Sequence, residues 1–525
     1  MTDWLYRIFS SLTTRQIYAT LFLGGLFAAL SLPPVYLVPL LALTIPLWLL
    51  LSERAETPRR AFVMGWMFGF GYFIGGLYWI AAALFVDIAR YWWVLPFAVA
   101  GLPVLMAAYW GIAGWVLYHV TWRGWPRLVV FASVLTVCEV ARGWMFTGFP
   151  WNHPAYAWTA SLPLLQSVSL FGVVGLSFVT ILLASIPYLF ITRQYPHHRQ
   201  RAVFACVVVG VVLALTAWGY GRLSHQGAAS SAGHVVRIVQ PNIPQEHKWT
   251  PAYMEKQRAA LWRLTKAPTA AAQKPSFIVW PETAIALVDT MDVRVWQDQV
   301  QQNLPPKTLL AAGVLEADMG SNGEPTFYNA LTVFDHQAVP LTRYAKSHLV
   351  PFGEYLPFEK YWPVKPPAVT AGSFSAGAGV VTQEIEGFPT FSPLICYEVI
   401  FPDQVVENKN RPQFLLNVTN DAWYGVTSGP FQHLAITQTR AVEQGLPLLR
   451  TANTGISAVI DAHGRKVAFL NLNQTGYVDT PLPQALKPTL FAVYGRLSWL
   501  LLLAVSLLMA YIGHRTMQHR PVTVQ

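Results

Sequence analysis

The chain has 525 residues, of which 54% are hydrophobic and only 12% charged, with 21 Trp among them. Average soluble domains carry about 25% charged residues, so this composition excludes a wholly soluble protein and points to a membrane part joined to a soluble one. The net charge of +10 comes with no nucleic-acid module and no long basic block, so it reads as membrane topology and argues against a nucleic-acid partner.

Eight apolar stretches approach or reach the length of about 17–25 residues that spans a bilayer: Ile17 to Leu32, Val35 to Leu51, Ala61 to Val86, Trp93 to Val120, Leu128 to Val140, Leu164 to Ile191, Ala202 to Tyr220 and Leu490 to Gly513. No small-residue cleavage site separates the first from the second, so the first reads as a span and not as a secretion signal. With eight spans, Arg7 and Arg15, Arg54, Arg59 and Arg60, Arg123 and Arg127, Arg193, Arg199 and Arg201, and Arg515 and Arg520 all fall on one side. The positive-inside rule makes that side the cytoplasm, with both termini inside and the long polar segment outside.

The fifth stretch is the weakest, because Glu139 and Arg142 lie near its end on one helical face. They read either as a structural ion pair at the membrane interface or as groups that handle lipid. In the third stretch, Gly65-x-x-x-Gly69 and Gly71-x-x-x-Gly75 allow close helix approach, inside the bundle or between copies. The aromatic loop Arg142-Gly-Trp-Met-Phe-Thr-Gly-Phe-Pro-Trp151 suits the headgroup level, as an anchor or as the wall of a lipid cleft.

Residues 222–489 have ordinary globular composition. Strands are expected at 234–240, 276–280, 308–314, 329–334, 391–396, 414–418 and 456–460, with helices around 253–266, 293–302 and 433–443. This is one α/β domain, 222–489, between a membrane domain of seven spans, 1–221, and an eighth span with its tail, 490–525. The three cysteines are Cys138, Cys206 and Cys396. Only Cys396 lies in the polar domain, which therefore has neither an internal disulfide nor a cysteine-based metal site.

Three strand ends or following loops carry reactive side chains. In Trp280-Pro281-Glu282 the proline turns the chain out of the sheet and leaves a carboxylate near its C-terminal edge. Tyr344-Ala-Lys346 leads to Glu354, and Ile395-Cys396-Tyr397-Glu398 brings the thiol. A thiol attacks only as thiolate, so it needs a base, and the tetrahedral anion that it forms needs a cation or a hydrogen-bond donor. Glu282, Lys346 and Cys396 supply base, cation and nucleophile. A Cys–His pair with His348 or His433 ranks below this set.

These motifs resemble the nitrilase superfamily, whose Glu-Lys-Cys triad matches V-W-P-Glu282-T, Y-A-Lys346-S-H-L-V-P-F-G-Glu354-Y and I-Cys396-Y-Glu398. Together with the spans, Gln240-Pro-Asn-Ile-Pro-Gln245, Lys248-Trp249, Asn420-Asp-Ala-Trp-Tyr-Gly425 and Arg450-Thr-Ala-Asn-Thr-Gly455, the whole chain resembles the apolipoprotein N-acyltransferase family. It departs from that pattern at Ala155-Tyr156, where a Gly-Tyr pair is expected. The resemblance implies an αββα sandwich on a helix bundle in a bacterial inner membrane, with the catalytic domain periplasmic.

The resemblance also implies ping-pong acyl transfer without a cofactor. The donor is a phospholipid, usually phosphatidylethanolamine, and the acceptor is the α-amine of an apolipoprotein's S-diacylglyceryl cysteine. Glu354, Tyr397 and Glu398 are supporting residues in this reading. Asn329, Trp249 and Trp423 are assigned to substrate binding, although packing accounts equally well for the two tryptophans. The segment from Tyr355 to Val364 reads as a lid or as a rigid surface loop. The alternative function is a membrane-tethered amidase acting on small C–N substrates.

Overall fold

The computed structural model describes residues 9, 11–195, 197–224, 233–248, 251–269, 271, 273–287, 293–319, 325–357, 373–407 and 409–518. Trp249 and residues 358–364 of the expected lid lie outside them. The chain divides into two compact units, Met1–His225 with Pro488–Gln525, and Gln226–Lys487.

The first unit is helical. Its principal helices are α1 (Thr14–Ala29), α2 (Leu41–Ser52), α3 (Pro58–Leu77), α4 (Leu95–His119), α5 (Trp125–Arg142), α6 (Val168–Ile191), α7 (His198–Ser224) and α11 (Arg496–Gln518). Among the described residues, four helical stretches are long and apolar enough to cross a membrane: Pro58–His119, Val168–Ile191, His198–Ser224 and Arg496–Gln518. The first of these takes in the third and fourth apolar stretches, joined by a 3-10 helix over Tyr78–Asp87. The helix surfaces carry bare apolar side chains, Phe97, Leu105, Leu213 and Leu501 among them. Such an outside is stable in lipid and costly in water.

The glycine pairs of α3 serve two different neighbours inside the bundle. A Cβ on Gly65 would sit 2.4 Å from the Trp110 carbonyl of α4, and one on Gly71 would sit 1.9 Å from the Phe22 carbonyl of α1. The close approach is therefore intramolecular. Glu139 and Arg142 are wholly buried inside the helical unit. Glu139 accepts from Arg142 through both carboxylate oxygens and from Trp110 Nε1 at 2.8 Å, while Arg142 also donates to the Phe149 carbonyl at 2.6 Å. These bonds tie the start of the aromatic loop to its end.

The second unit is an αββα sandwich. Its elements run β1 (Val235–Gln240), α8 (Pro251–Lys266), β2 (Phe277–Val279), β3 (Ile285–Leu287), α9 (Val293–Asn303), β4 (Leu309–Met319), β5 (Pro325–Phe334) and β6 (Pro340–Ala345). They continue with β7 (Gln383–Ile385), β8 (Phe388–Ile395), β9 (Phe414–Thr419), α10 (Gly429–Gln444), β10 (Leu448–Ala452), β11 (Ser457–Ile460), β12 (Lys466–Leu470) and β13 (Gly476–Pro481). One sheet has the order β13-β1-β2-β4-β5-β6, with β3 also on β4; the other has the order β12-β11-β10-β9-β8-β7.

Each sheet has three parallel strands at its centre, β1, β2 and β4 in one and β8, β9 and β10 in the other. Successive side chains on a strand face opposite ways. Phe277 and Val279 of β2 accordingly meet Phe391, Leu416 and Leu449 of the second sheet, while Ile278 and Trp280 meet Trp262 of α8 and Trp296 of α9. Helix α10 covers the outer face of the second sheet, against β10.

Candidate active site

Parallel strands leave their carboxyl ends on one edge, where the chain turns away and side chains can converge. Glu282 follows β2 there. The backbone around it is held from below, because Gly313 of β4 lies so close that a Cβ would come within 2.6 Å of the Glu282 Cα. Asn329 of β5 donates its amide to both Glu282 Oε1 (2.8 Å) and Glu354 Oε1 (3.0 Å). Its main-chain carbonyl accepts from Lys346 N at 2.8 Å, which fixes the start of the loop after β6.

Lys346 Nζ lies 2.8 Å from Glu354 Oε1 and 3.8 Å from Glu282 Oε1, and all three side chains are buried or nearly so. Burial alone would lower the lysine's pKa, but the Glu354 and Glu282 carboxylates outweigh it and hold Lys346 charged above its ordinary range. Glu282 is pushed up, chiefly by burial, with Lys346 opposing and Glu354 reinforcing. A carboxylate raised in this way is a better proton acceptor.

Cys396 opens a 3-10 turn, Cys396–Ile400, directly after β8. Its φ is +50°, a left-handed conformation that costs a non-glycine residue roughly 1–2 kcal/mol. Glu398 holds this turn. Its Oε2 accepts from Ile395 N at 2.7 Å, and its Oε1 accepts from Tyr344 Oη (2.7 Å), Ser347 N (2.7 Å), Ser347 Oγ (2.8 Å) and His348 N (3.1 Å). One buried carboxylate thus ties the thiol's turn to the lysine's loop. Burial, then the Glu282 charge, push the Cys396 thiol up to about 12, against Lys346. The resting group is a neutral thiol.

Tyr397 is buried beside it, and burial raises its phenol above the usual range. Trp423 is 38% exposed, on the turn that follows β9.

Two further features surround the set. Lys248 is buried, and its Nζ donates to the Glu282 carbonyl at 3.1 Å; burial lowers its pKa to about 8, against the Glu282 and Cys396 charges. Behind the Cys396 turn, Arg450 of β10 donates to Asp421 Oδ2 (2.6 Å) and Asn417 Oδ1 (2.5 Å), and His433 Nδ1 lies 2.9 Å from Asp421 Oδ1. His433 Nε2 faces the Cys396 carbonyl oxygen at 3.3 Å, which engages the histidine with the backbone and counts against a Cys–His pair. His348 is also engaged elsewhere, with its Nδ1 3.1 Å from Gln404 Oε1 and its ring stacked on Phe401. Asp421 and Arg450, which the sequence offers only through motif resemblance, connect to the Cys396 turn through His433.

A buried carboxylate and a charged lysine thus follow strands of one sheet and a buried thiol follows a strand of the other, and the family model described as carbon-nitrogen hydrolase matches residues 235–487. The apolipoprotein N-acyltransferase N-terminal domain matches residues 24–186. Curated apolipoprotein N-acyltransferases are similar along almost the whole chain. The one from Rhodopseudomonas palustris is 37% identical over 509 residues, 94% of each chain. That from Rhizobium rhizogenes is 37% identical over 484 residues, 88% of this chain and 89% of its own, and that from Brucella melitensis 36% over 512 residues, 94% of each. Among solved structures, Saccharomyces cerevisiae Nit3, described as a member of branch 10 of the nitrilase superfamily, has 15% identity over 49% of this chain and 93% of its own, with a TM-score of 0.37. The chain belongs to the apolipoprotein N-acyltransferase family. It is an acyltransferase, and a bacterial membrane protein.

Proposed function

We propose that Cys396 carries an acyl chain as a thioester between a phospholipid and the α-amine of an apolipoprotein's N-terminal S-diacylglyceryl cysteine. The donor in this reading is phosphatidylethanolamine, which gives up its sn-1 chain. The observation that carries the reading is the buried set Glu282, Asn329, Lys346 and Glu354, within the electrostatic reach of a thiol held neutral at rest.

Glu282 takes the proton from Cys396 Sγ as sulfur attacks the ester carbonyl. The carbonyl oxygen becomes an anion, which Lys346 and the Tyr397 main-chain N–H stabilise. Collapse breaks the ester C–O bond, and the leaving alkoxide takes the proton back from Glu282, giving a lysophospholipid. In the second half the acceptor amine attacks the thioester and loses its proton to Glu282. Collapse then releases the thiolate, which is reprotonated. Glu354 holds Lys346 in place, Glu398 and Tyr397 support the pocket, and substrate binding is assigned to Asn329, Trp249 and Trp423.

An acyl chain drawn into water costs about 0.8 kcal/mol per CH₂, so the site works on lipid at a bilayer. Seven spans before the catalytic domain and one after it, with that domain on the periplasmic side of an inner membrane and both termini cytoplasmic, complete the proposed arrangement. The test is product analysis in mixed micelles of phosphatidylethanolamine and a diacylglyceryl lipopeptide. Stoichiometric lysophospholipid and N-acylated lipopeptide are expected. Release of free fatty acid with no acylated lipopeptide overturns transfer in favour of hydrolysis.

A further inference from the structure

The fully buried trio Asp421, His433 and Arg450 reaches the nucleophile's turn where His433 Nε2 meets the Cys396 carbonyl oxygen at 3.3 Å. A carbonyl oxygen only accepts hydrogen bonds, so Nε2 carries the proton in this contact. The other ring nitrogen lies 2.9 Å from Asp421 Oδ1 and 3.1 Å from Arg450 Nη2. With the proton on Nε2, Nδ1 accepts from Arg450, so the ring is held from behind by an arginine that is itself paired with Asp421.

The Cys396 carbonyl does not act alone. It shares one planar peptide with the Tyr397 N–H, and in a trans peptide the two bonds point in opposite directions. Fixing the oxygen on one side therefore fixes the direction of the N–H on the other. The constraint matters here because Cys396 sits at φ +50°, where a non-glycine residue gains by relaxing unless its peptide is tied. A hydrogen bond to the carbonyl also polarises the peptide and makes its N–H a stronger donor.

We propose that His433, braced by Asp421 and Arg450, is a positioning residue for the oxyanion hole: it clamps the Cys396–Tyr397 peptide so that the Tyr397 N–H is aimed at the anion formed in acyl transfer. This inference rests on the thioester reading above. It assigns the trio a function that none of its members performs by touching the substrate.

The test compares two reactions of the same thiol. Alkylation by iodoacetamide displaces iodide from carbon and creates no oxyanion; acylation by phospholipid creates one. In His433→Leu, acylation of Cys396, followed by intact mass in a single turnover, should fall about 10²- to 10³-fold, the effect of losing one oxyanion donor. Its dependence on phospholipid concentration and its alkylation rate should stay at the wild-type values. His433→Gln, which keeps an N–H donor on the ring's side, should recover most of the acylation.

The inference is overturned if alkylation and acylation fall together, if neither changes, or if Gln is as slow as Leu. If His433→Leu does not accumulate as folded protein, Asp421→Asn carries the same comparison, because its electrostatic effect on the thiol acts on both reactions and cancels in their ratio; an unchanged ratio overturns the inference. Cys396→Ala run alongside separates the two levels. An acyl adduct on that variant defeats the thioester reading itself, whatever His433 does.

Discussion

Two buried ionic clusters, one in each unit, pair carboxylates with cations to different ends. In the helical unit, Glu139 faces Arg142 through both oxygens and takes a third hydrogen bond from Trp110. One carboxylate meets one guanidinium, with the remaining bonds made to protein. In the sandwich, two carboxylates, Glu282 and Glu354, share Lys346 and the Asn329 amide, and Asn329 Oδ1 is buried without a hydrogen-bond partner among the described residues. The first cluster is closed and holds a loop. The second has a carboxylate to spare and an acceptor left open, so a proton or a substrate N–H has somewhere to go. In the proposed function this surplus charge, more than burial, sets the second cluster apart from the first.

That contrast can be broken by substitution, and the effects on chemistry should run in a fixed order. Lys346→Met removes a charge that draws the thiol's pKa downward, and it leaves two buried carboxylates facing each other. Acylation of Cys396, measured by single-turnover mass, should fall by about 10²–10⁴, the range for removing a charge-stabilising or proton-transferring group. Glu398→Gln keeps the shape but turns an acceptor of five hydrogen bonds into a group with its own donors. A loss of about 1–3 kcal/mol in stability is expected, read by thermal unfolding in detergent, with acylation slowed by about tenfold in proportion to the disturbed turn.

Lys248→Met should act more weakly and through pH. The Lys248 ammonium, lowered to about 8 by burial, favours the ionised forms of Glu282 and Cys396 below that pH and loses its charge as pH rises through it. Wild-type acylation, measured without the amine acceptor, should therefore decline above about pH 8. The variant should be about three- to tenfold slower at pH 7, with that decline absent. A decline at the same pH in Lys248→Met would assign it to another group. Arg142→Met should have the smallest effect on chemistry. It leaves Glu139 buried without its cation, a change of about 3–5 kcal/mol in stability, yet each folded molecule should acylate at the normal rate.

The sequence carries the strand-end residues because their signals are local. Trp280-Pro281-Glu282 and Ile395-Cys396-Tyr397-Glu398 announce themselves by a run of β-formers, a turn and a reactive group within a few positions, and the structure brings Glu282 and Lys346 within 3.8 Å. What makes Glu398 a hub is 50 residues away in the loop at 344–348, and no spacing within its own segment points there. Asp421, His433 and Arg450 meet only because β9 and β10 run parallel in register, with Asn417 opposite Arg450. Strand β10 itself escapes notice because Arg450 interrupts its apolar run. Its guanidinium is buried only by virtue of partners supplied by β9, the turn after it and α10. Edge strands β12 and β13, with Lys466 and Asp479, are missing from the expected strands because edges tolerate charge.

The central claim is that Cys396 carries the acyl chain, and intact mass of the purified protein tests it most directly. After exposure to phosphatidylethanolamine, wild type should gain the mass of one acyl group, Cys396→Ala should gain none, and addition of a diacylglyceryl lipopeptide should discharge the wild-type adduct onto its amine. No adduct on wild type, or the same adduct on Cys396→Ala, would contradict the account.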